Sequence, residues 1–169
     1  MGRYRPPAPP KSPYITPEGA RALQEELTHL WKTERPVVTA AVQAAAKNGD
    51  RSENGDYIYG KQKLREIDRR VRYLNKRLAE ITVVDRLPAA RDVIYFGAWV
   101  TLQDAKGSVT KLRIVGSDEV DGKRKISIDA PLAKQLIGKK AGSTVHHTSD
   151  GETFAFTVQA VEYETTTAC

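Results

Sequence analysis

Tyr57-Ile58-Tyr59-Gly60-Lys61-Gln62-Lys63-Leu64-Arg65-Glu66-Ile67-Asp68-Arg69-Arg70-Val71-Arg72-Tyr73-Leu74-Asn75-Lys76-Arg77-Leu78-Ala79-Glu80-Ile81 decides the fold. Within it Tyr57, Gly60, Leu64, Ile67, Val71, Leu74, Leu78 and Ile81 recur at alternating intervals of three and four, the seam of a coiled coil. A helix with one apolar stripe needs a second stripe to bury it. The preceding stretch supplies Ala20, Leu23, Leu27, Leu30, Glu34, Val37, Ala41 and Ala44 in the same rhythm, with small residues toward its end. Thr16 and Pro17 provide an N-cap and a first-turn proline, so the first helix is expected to start there and to end near Asn48-Gly49. Two helices joined by so short a turn pair antiparallel. Each arm of roughly 27 to 30 residues is about 40 to 45 Å long at ~1.5 Å per residue. Pro36 lies inside the first helix, where it removes one backbone hydrogen bond; a kink is expected, with the heptad resuming beyond it.

The turn between the helices reads Asp50-Arg51-Ser52-Glu53. Two carboxylates three residues apart are open to three roles. They can cap the N-terminus of the second helix, where anions are favoured. They can bind a divalent cation through hard oxygen donors, although two acids are too few for a tight site. They can complete a site whose other ligands belong to a partner, a role suited to ionised acids at the end of a long rod. Beyond the tip the charge reverses. Lys61, Lys63, Arg65, Arg69, Arg70, Arg72, Lys76 and Arg77 face only Glu66 and Asp68 over the same span, so this helix can follow a nucleic-acid backbone. A solvated coiled-coil flank is the plainer explanation of the same charges. Tyr57 lies on the seam, and Tyr59 is either a stacking ring or simply exposed.

The 169-residue chain carries a net charge of +6, concentrated in that helix. Residues 1–14, rich in proline with Arg3, Arg5 and Lys11, read as a disordered tail without a signal core; Pro6 stands where a myristoylation motif needs Ser or Thr. Residues 15–85 form the coiled coil and 86–164 a second domain, with 165–169 a disordered end. Cys169 is the only cysteine, which excludes an internal disulfide or a cysteine-based zinc site and favours a cytoplasmic protein. His29, His146 and His147 lack metal-ligand spacing, and the adjacent pair reads as a strand or loop edge.

After Leu87-Pro88 the pattern becomes short alternating apolar runs. Phe96–Leu102, Val109–Val115, Lys125–Ile128 and Phe154–Val161 read as strands, with turns at Asp104–Gly107 and Asp121-Gly122. Asp129-Ala130-Pro131 opens one short helix, Leu132–Ile137, stopped by Gly138. The fold class is α+β in two domains: an antiparallel helical coiled coil, then a sheet with one short helix. Tyr95, Phe96, Trp99, Phe154 and Phe156 mostly fall at strand positions expected to fill its core.

Asn48–Tyr59 followed by Leu64–Leu74 resembles the coiled coil of the bacterial transcript cleavage factors of the Gre family, nearest its GreB branch. Glu34–Val38, Tyr95–Val100, Arg113–Gly116 and Ile126–Ala133 extend the similarity across both domains in the same order. Gly55 and Gly60 depart from it, standing where Ala and Asn are expected, and Gly60 is expected to loosen the start of the second helix. The resemblance implies a C-terminal domain similar to FK506-binding proteins. Prolyl isomerase activity does not follow, since fold alone does not carry function and a concave aromatic pocket is not evident.

The resemblance further implies bacterial RNA polymerase as partner. The C-terminal domain would dock at the rim of the secondary channel, and the coiled coil would enter it. Asp129, Pro131 and Leu132 are the docking candidates, with Pro131 and Leu132 read as an exposed apolar edge for a partner helix; packing at the helix start accounts for the same residues equally well. Asp50 would complete the coordination of a Mg2+ ion shared with the polymerase active site, none being bound tightly by the isolated chain. Glu53 would orient or deprotonate the attacking water. Lys61, Arg65, Arg69 and Arg72 would contact the extruded 3′ RNA of backtracked complexes, with Ser52 and Tyr57 nearer the reacting centre. On this reading the chain is a monomer without membrane contact, and it is no enzyme but an activator of one. Two alternatives stay open: a Gre-like channel-binding regulator that inhibits polymerase, and a basic coiled-coil protein that binds nucleic acid directly.

Overall fold

The computed structural model describes residues 6–49 and 53–165. They form two compact units, one of residues 20–81 and one that joins the segment through Gly19 to the chain from Thr82 onward. In the first, α1 (Pro17–His29) runs through a π-helical turn, Leu30–Glu34, into α2 (Arg35–Ala46), and α3 (Gly55–Glu80) packs along them. Gly19 N–H donates to Thr16 Oγ1 (3.1 Å), the cap expected before Pro17. Along α3, Gly60, Ile67, Val71 and Leu74 are buried, as the heptad spacing requires.

The first arm departs from the expected register. Leu23 and Leu30 are buried, but beyond Pro36 the inward positions are Val38, Val42 and Ala45, while Val37, Ala41 and Ala44 face solvent. The shift is one residue. Its origin is the π turn, in which Arg35 N–H donates to Leu30 O, five residues back. Pro36 has no N–H, and its ring would collide with the carbonyl of Lys32 in an α-helix; widening the turn relieves that collision and inserts one residue into the helical count. The heptad therefore resumes one position late. Gly60 does not interrupt α3: a Cβ there would lie 2.6 Å from Val42 Cγ2, so its lack of a side chain admits Val42 against the α3 backbone.

In the second unit β1 (Tyr14–Ile15) pairs in parallel with β2 (Thr82–Val83), with Thr82 N–H donating to Pro13 O and Val84 N–H to Ile15 O. Glu119 fastens this pair: its carboxylate accepts from Thr16 N–H (3.1 Å), Gly116 N–H (2.8 Å) and the Thr16 hydroxyl. Ser12 N–H donates to Asp129 Oδ2 at 2.9 Å, and Lys11 lies 3.7 Å from Asp118. Lys11–Tyr14 are thus ordered by partners remote in sequence, unlike the tail read through residue 14. Of the other terminus, only Thr165 lies within the described residues.

The main sheet has the order β5-β4-β3-β7-β6. Its strands are β3 (Trp99–Asp104), β4 (Val109–Val115), β5 (Lys125–Ser127), β6 (Thr144–Ser149) and β7 (Glu152–Glu162), all antiparallel except β4 with β5. Its short helix α4 (Pro131–Leu136) buries Ala133 and Leu136. Of strand β6, at one edge of the sheet, the sequence marks only His146-His147 as a strand or loop edge, because Thr144, His146, Thr148 and Ser149 are exposed and only Val145 is buried. His146 and His147 lie within it. The core is aliphatic: Ile94, Val100, Leu102, Ile114, Leu136 and Val158 fill it, with Phe156 packed alongside. Tyr95 and Phe154 are exposed instead, and Lys111 and Arg113 lie over the Trp99 ring. Tyr163 pins the edge of this core, its hydroxyl donating to Val93 O and accepting from Tyr95 N–H at 2.9 Å.

The register of the first arm is testable with one charge at two adjacent positions. Val38→Asp should cost the helical unit about 2 kcal/mol or more, whereas Val37→Asp should stay within ~0.5 kcal/mol, measured by urea denaturation. A larger loss at Val37 would restore the uninterrupted heptad.

Candidate functional site at the hairpin tip

Asn54 organises the described part of the tip. Its side-chain oxygen accepts from Tyr57 N–H (3.1 Å) as the N-cap of α3, and its Nδ2 donates to Ala45 O (2.6 Å) at the end of α2. One side chain thus ends one helix and begins the next. The cap role offered to Asp50 and Glu53 is taken by Asn54, a residue type that favours this position and could have been singled out for that reason. Glu53 is left exposed in the turn before the cap. Asp50 and Ser52 lie outside the described residues. Tyr57 is half-buried, with Lys61 Nζ 5.9 Å from its ring centroid, and Tyr59 is exposed.

The basic residues of α3 divide into two sets. Arg70 grips Glu26 with two hydrogen bonds (2.6 and 2.8 Å), Lys63 lies 3.3 Å from Glu34, and Arg77 is buried. Arg35, on the other arm, donates to Asp68 at 2.8 Å. Arg70, Lys63 and Arg35 thus join the arms. Lys61, Arg65, Arg69, Arg72 and Lys76 follow one another at intervals of four, four, three and four, which places them within an arc of about 80° at ~3.6 residues per turn. That arc points away from the seam. Among the described residues Arg65 and Arg69 have no ion-pair partner, and Arg72 Nε reaches only the Asp68 carbonyl (3.4 Å). The four cations singled out from sequence therefore share one face.

In the other unit Pro131 is exposed at the start of α4, while Leu132 is half-buried against the sheet core rather than standing as an open apolar edge. Asp129 is half-buried and accepts from Ser12 N–H. Among the described residues no group of three His, Cys, Asp or Glu side chains is placed to hold a metal, and no helix is long and apolar enough to cross a membrane.

The profile described as "Transcription elongation factor, N-terminal" matches residues 13–83, and "Transcription elongation factor, GreA/GreB, C-term" matches residues 88–163. This chain belongs to the GreA/GreB family of transcription elongation factors. Within it the relatives are of GreB type: Transcription elongation factor GreB of Pseudomonas aeruginosa is 53% identical over 165 residues, 96% of this chain and 98% of the relative. The GreB of Haemophilus influenzae is 50% identical over 155 residues, 91% of this chain and 98% of that one. A solved GreA/GreB factor from Nitrosomonas europaea covers 92% of this chain and 100% of its own at 20% identity and a TM-score of 0.42. The assignment rests on the sequence relatives.

Two measurements test this Gre factor's helical unit. Asn54→Ala should cost about 1 to 2 kcal/mol, while Asn54→Asp, which keeps the cap acceptor and loses the Nδ2 donor, should recover part of that in the same melt. Arg70 holds the Glu26 carboxyl below its ordinary value of 4.5, chiefly through the hydrogen bond. A lowered folded pKa contributes stability that is complete above the unfolded value and is lost as pH falls through the folded one. The gap in melting temperature between the parent and Glu26→Gln should accordingly be present at pH 7 and vanish by about pH 2, with a worth of about 0.5 kcal/mol for so exposed a pair.

Proposed function

We propose that this chain enters the secondary channel of bacterial RNA polymerase and stimulates the polymerase's own hydrolysis of backtracked RNA. The observation that supports this best is the tip: Asn54 satisfies the start of α3, so Glu53 is not consumed as a cap and stands exposed at the end of the hairpin. An exposed carboxylate is of little structural use to the hairpin itself. It is of use to a site completed by another molecule.

Glu53 accepts the proton of the attacking water, eight residues before the basic face begins at Lys61. The water oxygen then forms a bond to the RNA phosphorus as the bond to the upstream 3′ oxygen breaks; that oxygen takes a proton and becomes a new 3′ hydroxyl. Asp50 is the residue of this chain that would ligate a magnesium ion shared with the polymerase, as a hard oxygen donor suited to it. Bound there, magnesium supplies Lewis-acid stabilisation of the phosphoryl oxygens and an activated water. Lys61, Arg65, Arg69 and Arg72 hold the phosphates of the extruded strand by charge, and the segment Asp129–Leu132 docks at the channel rim. The chain lends groups to an enzyme rather than turning over by itself.

The direct test is release of short 3′ fragments from stalled, backtracked elongation complexes. The parent should accelerate release, and Asp50→Ala and Glu53→Ala should each lose about a hundredfold or more of that acceleration. Asp50→Ala should respond to raised magnesium more than Glu53→Ala does. A parent that binds polymerase without accelerating release would mark an inhibitory channel regulator. Strong binding of free RNA by the parent and the tip variants alike would favour a direct nucleic-acid binder, with affinity falling by about 0.7 log units per log unit of salt for each phosphate neutralised.

A further inference from the structure

The π turn does more than restore the seam beyond Pro36. Beside it the helical unit carries an open groove of about 680 Å³ whose lining is mostly apolar, with Leu27, Trp31 and Val71 as its body and Lys32, Arg35 and Arg72 at its edge. Trp31 lies off the heptad seam and is 54% exposed. Arg35 sits 5.1 Å from the centroid of its ring and is itself fixed by Asp68, whose carboxylate is thereby neutralised within the groove. Hydrogen bonding to Asp68 holds the Arg35 guanidinium protonated even more firmly than usual. An exposed indole with Lys32 and Arg72 at the edge of its groove and the Asp68-paired Arg35 against its ring has the composition of a platform on which a base stacks while its phosphates meet positive charge. Arg72 also belongs to the α3 basic face, so the groove continues the track of Arg65 and Arg69.

We propose that this groove is a stacking site for one unpaired base of single-stranded RNA, with Trp31 as the platform and Lys32 and Arg72 as phosphate contacts. The proposal rests on the reading that extruded RNA runs along this hairpin from the tip. A docked protein helix is the less suitable occupant, since it would have to cover Lys32 and Arg72 with matching acids around a single ring. Distance gives the site a definite consequence. Val71 and Arg72 lie 17 and 18 residues after Asn54 on one continuous helix, about 26 Å from the tip at ~1.5 Å per residue. A stacked strand advancing ~3.4 Å per nucleotide covers that distance in about eight nucleotides. RNA extruded by two or three nucleotides cannot reach Trp31. RNA extruded by nine or more can.

The test compares the full chain with its Trp31→Ala and Trp31→Phe variants on elongation complexes backtracked by about two and by about ten nucleotides, reading factor affinity by competition and fragment release in parallel. Equal melting temperatures establish that the variants fold. Trp31→Ala should bind the long-extrusion complex roughly five- to a hundredfold more weakly, the range of one lost base–aromatic stack, and the short-extrusion complex unchanged, while Trp31→Phe keeps most of the affinity. Equal weakening on both complexes would place the groove against polymerase and overturn the proposal. No weakening on either, with release still accelerated by the parent, would overturn it and leave the functional reading standing. If the parent accelerates release on neither complex, that reading fails and takes the stacking site with it.

Discussion

Pro36 can neither donate a backbone hydrogen bond nor accept an α-helical turn immediately before it, and yet the arm that contains it must keep one apolar side against α3 for its whole length. The Leu30–Glu34 π turn reconciles these demands. Much else in the helical unit follows from it. Val38, Val42 and Ala45 come to the seam in place of their predecessors, and Val42 then meets α3 where only a glycine at position 60 leaves room. Beside the same turn Arg35 lies over the Trp31 ring and on Asp68. A single missing N–H thus sets the packing beyond it.

The charges on α3 are distributed by the same geometry. Positions next to the seam can reach across to the other arm, and there Lys63 and Arg70 find Glu34 and Glu26. Such exposed pairs contribute little to stability, so their main effect is to fix how the arms meet. Positions far from the seam have no arm to reach. Arg65, Arg69 and Arg72 therefore keep their charge available to an external anion, with a Coulombic reach limited to about 8 Å at physiological salt. The division between internal and external cations is a matter of angle around one helix.

The second unit closes the chain path by different means. Its aliphatic core sits between the five-stranded sheet and α4, and the two-stranded β1–β2 pair brings together residues that precede and follow the helical unit in sequence. Glu119 supplies the acceptors that a two-residue strand pair cannot provide for itself. Three donors converge on its carboxylate, two from Thr16 and one from Gly116, and they fix the chain just past the stretch that the composition alone marks as a tail.

The sequence by itself determined the α+β class, the two helical arms, the α3 seam and the cations of one helical face, because each is written as a period within a continuous segment. The helix start at Thr16-Pro17 was legible for a similar reason, since a cap is a local bond between residues three apart. What tertiary structure decided were features whose partners lie elsewhere in the chain. Ser12 needs Asp129, Thr16 needs Glu119, and Asn54 spends its second hydrogen-bonding group on Ala45. Strand β6, with one buried residue, acquires its form only from pairing with β7. The register beyond Pro36 belongs here as well: a proline announces that the helix must yield, but whether it kinks, stops or widens by one residue depends on which choice returns apolar side chains to α3, and that is fixed only when the second helix is in place.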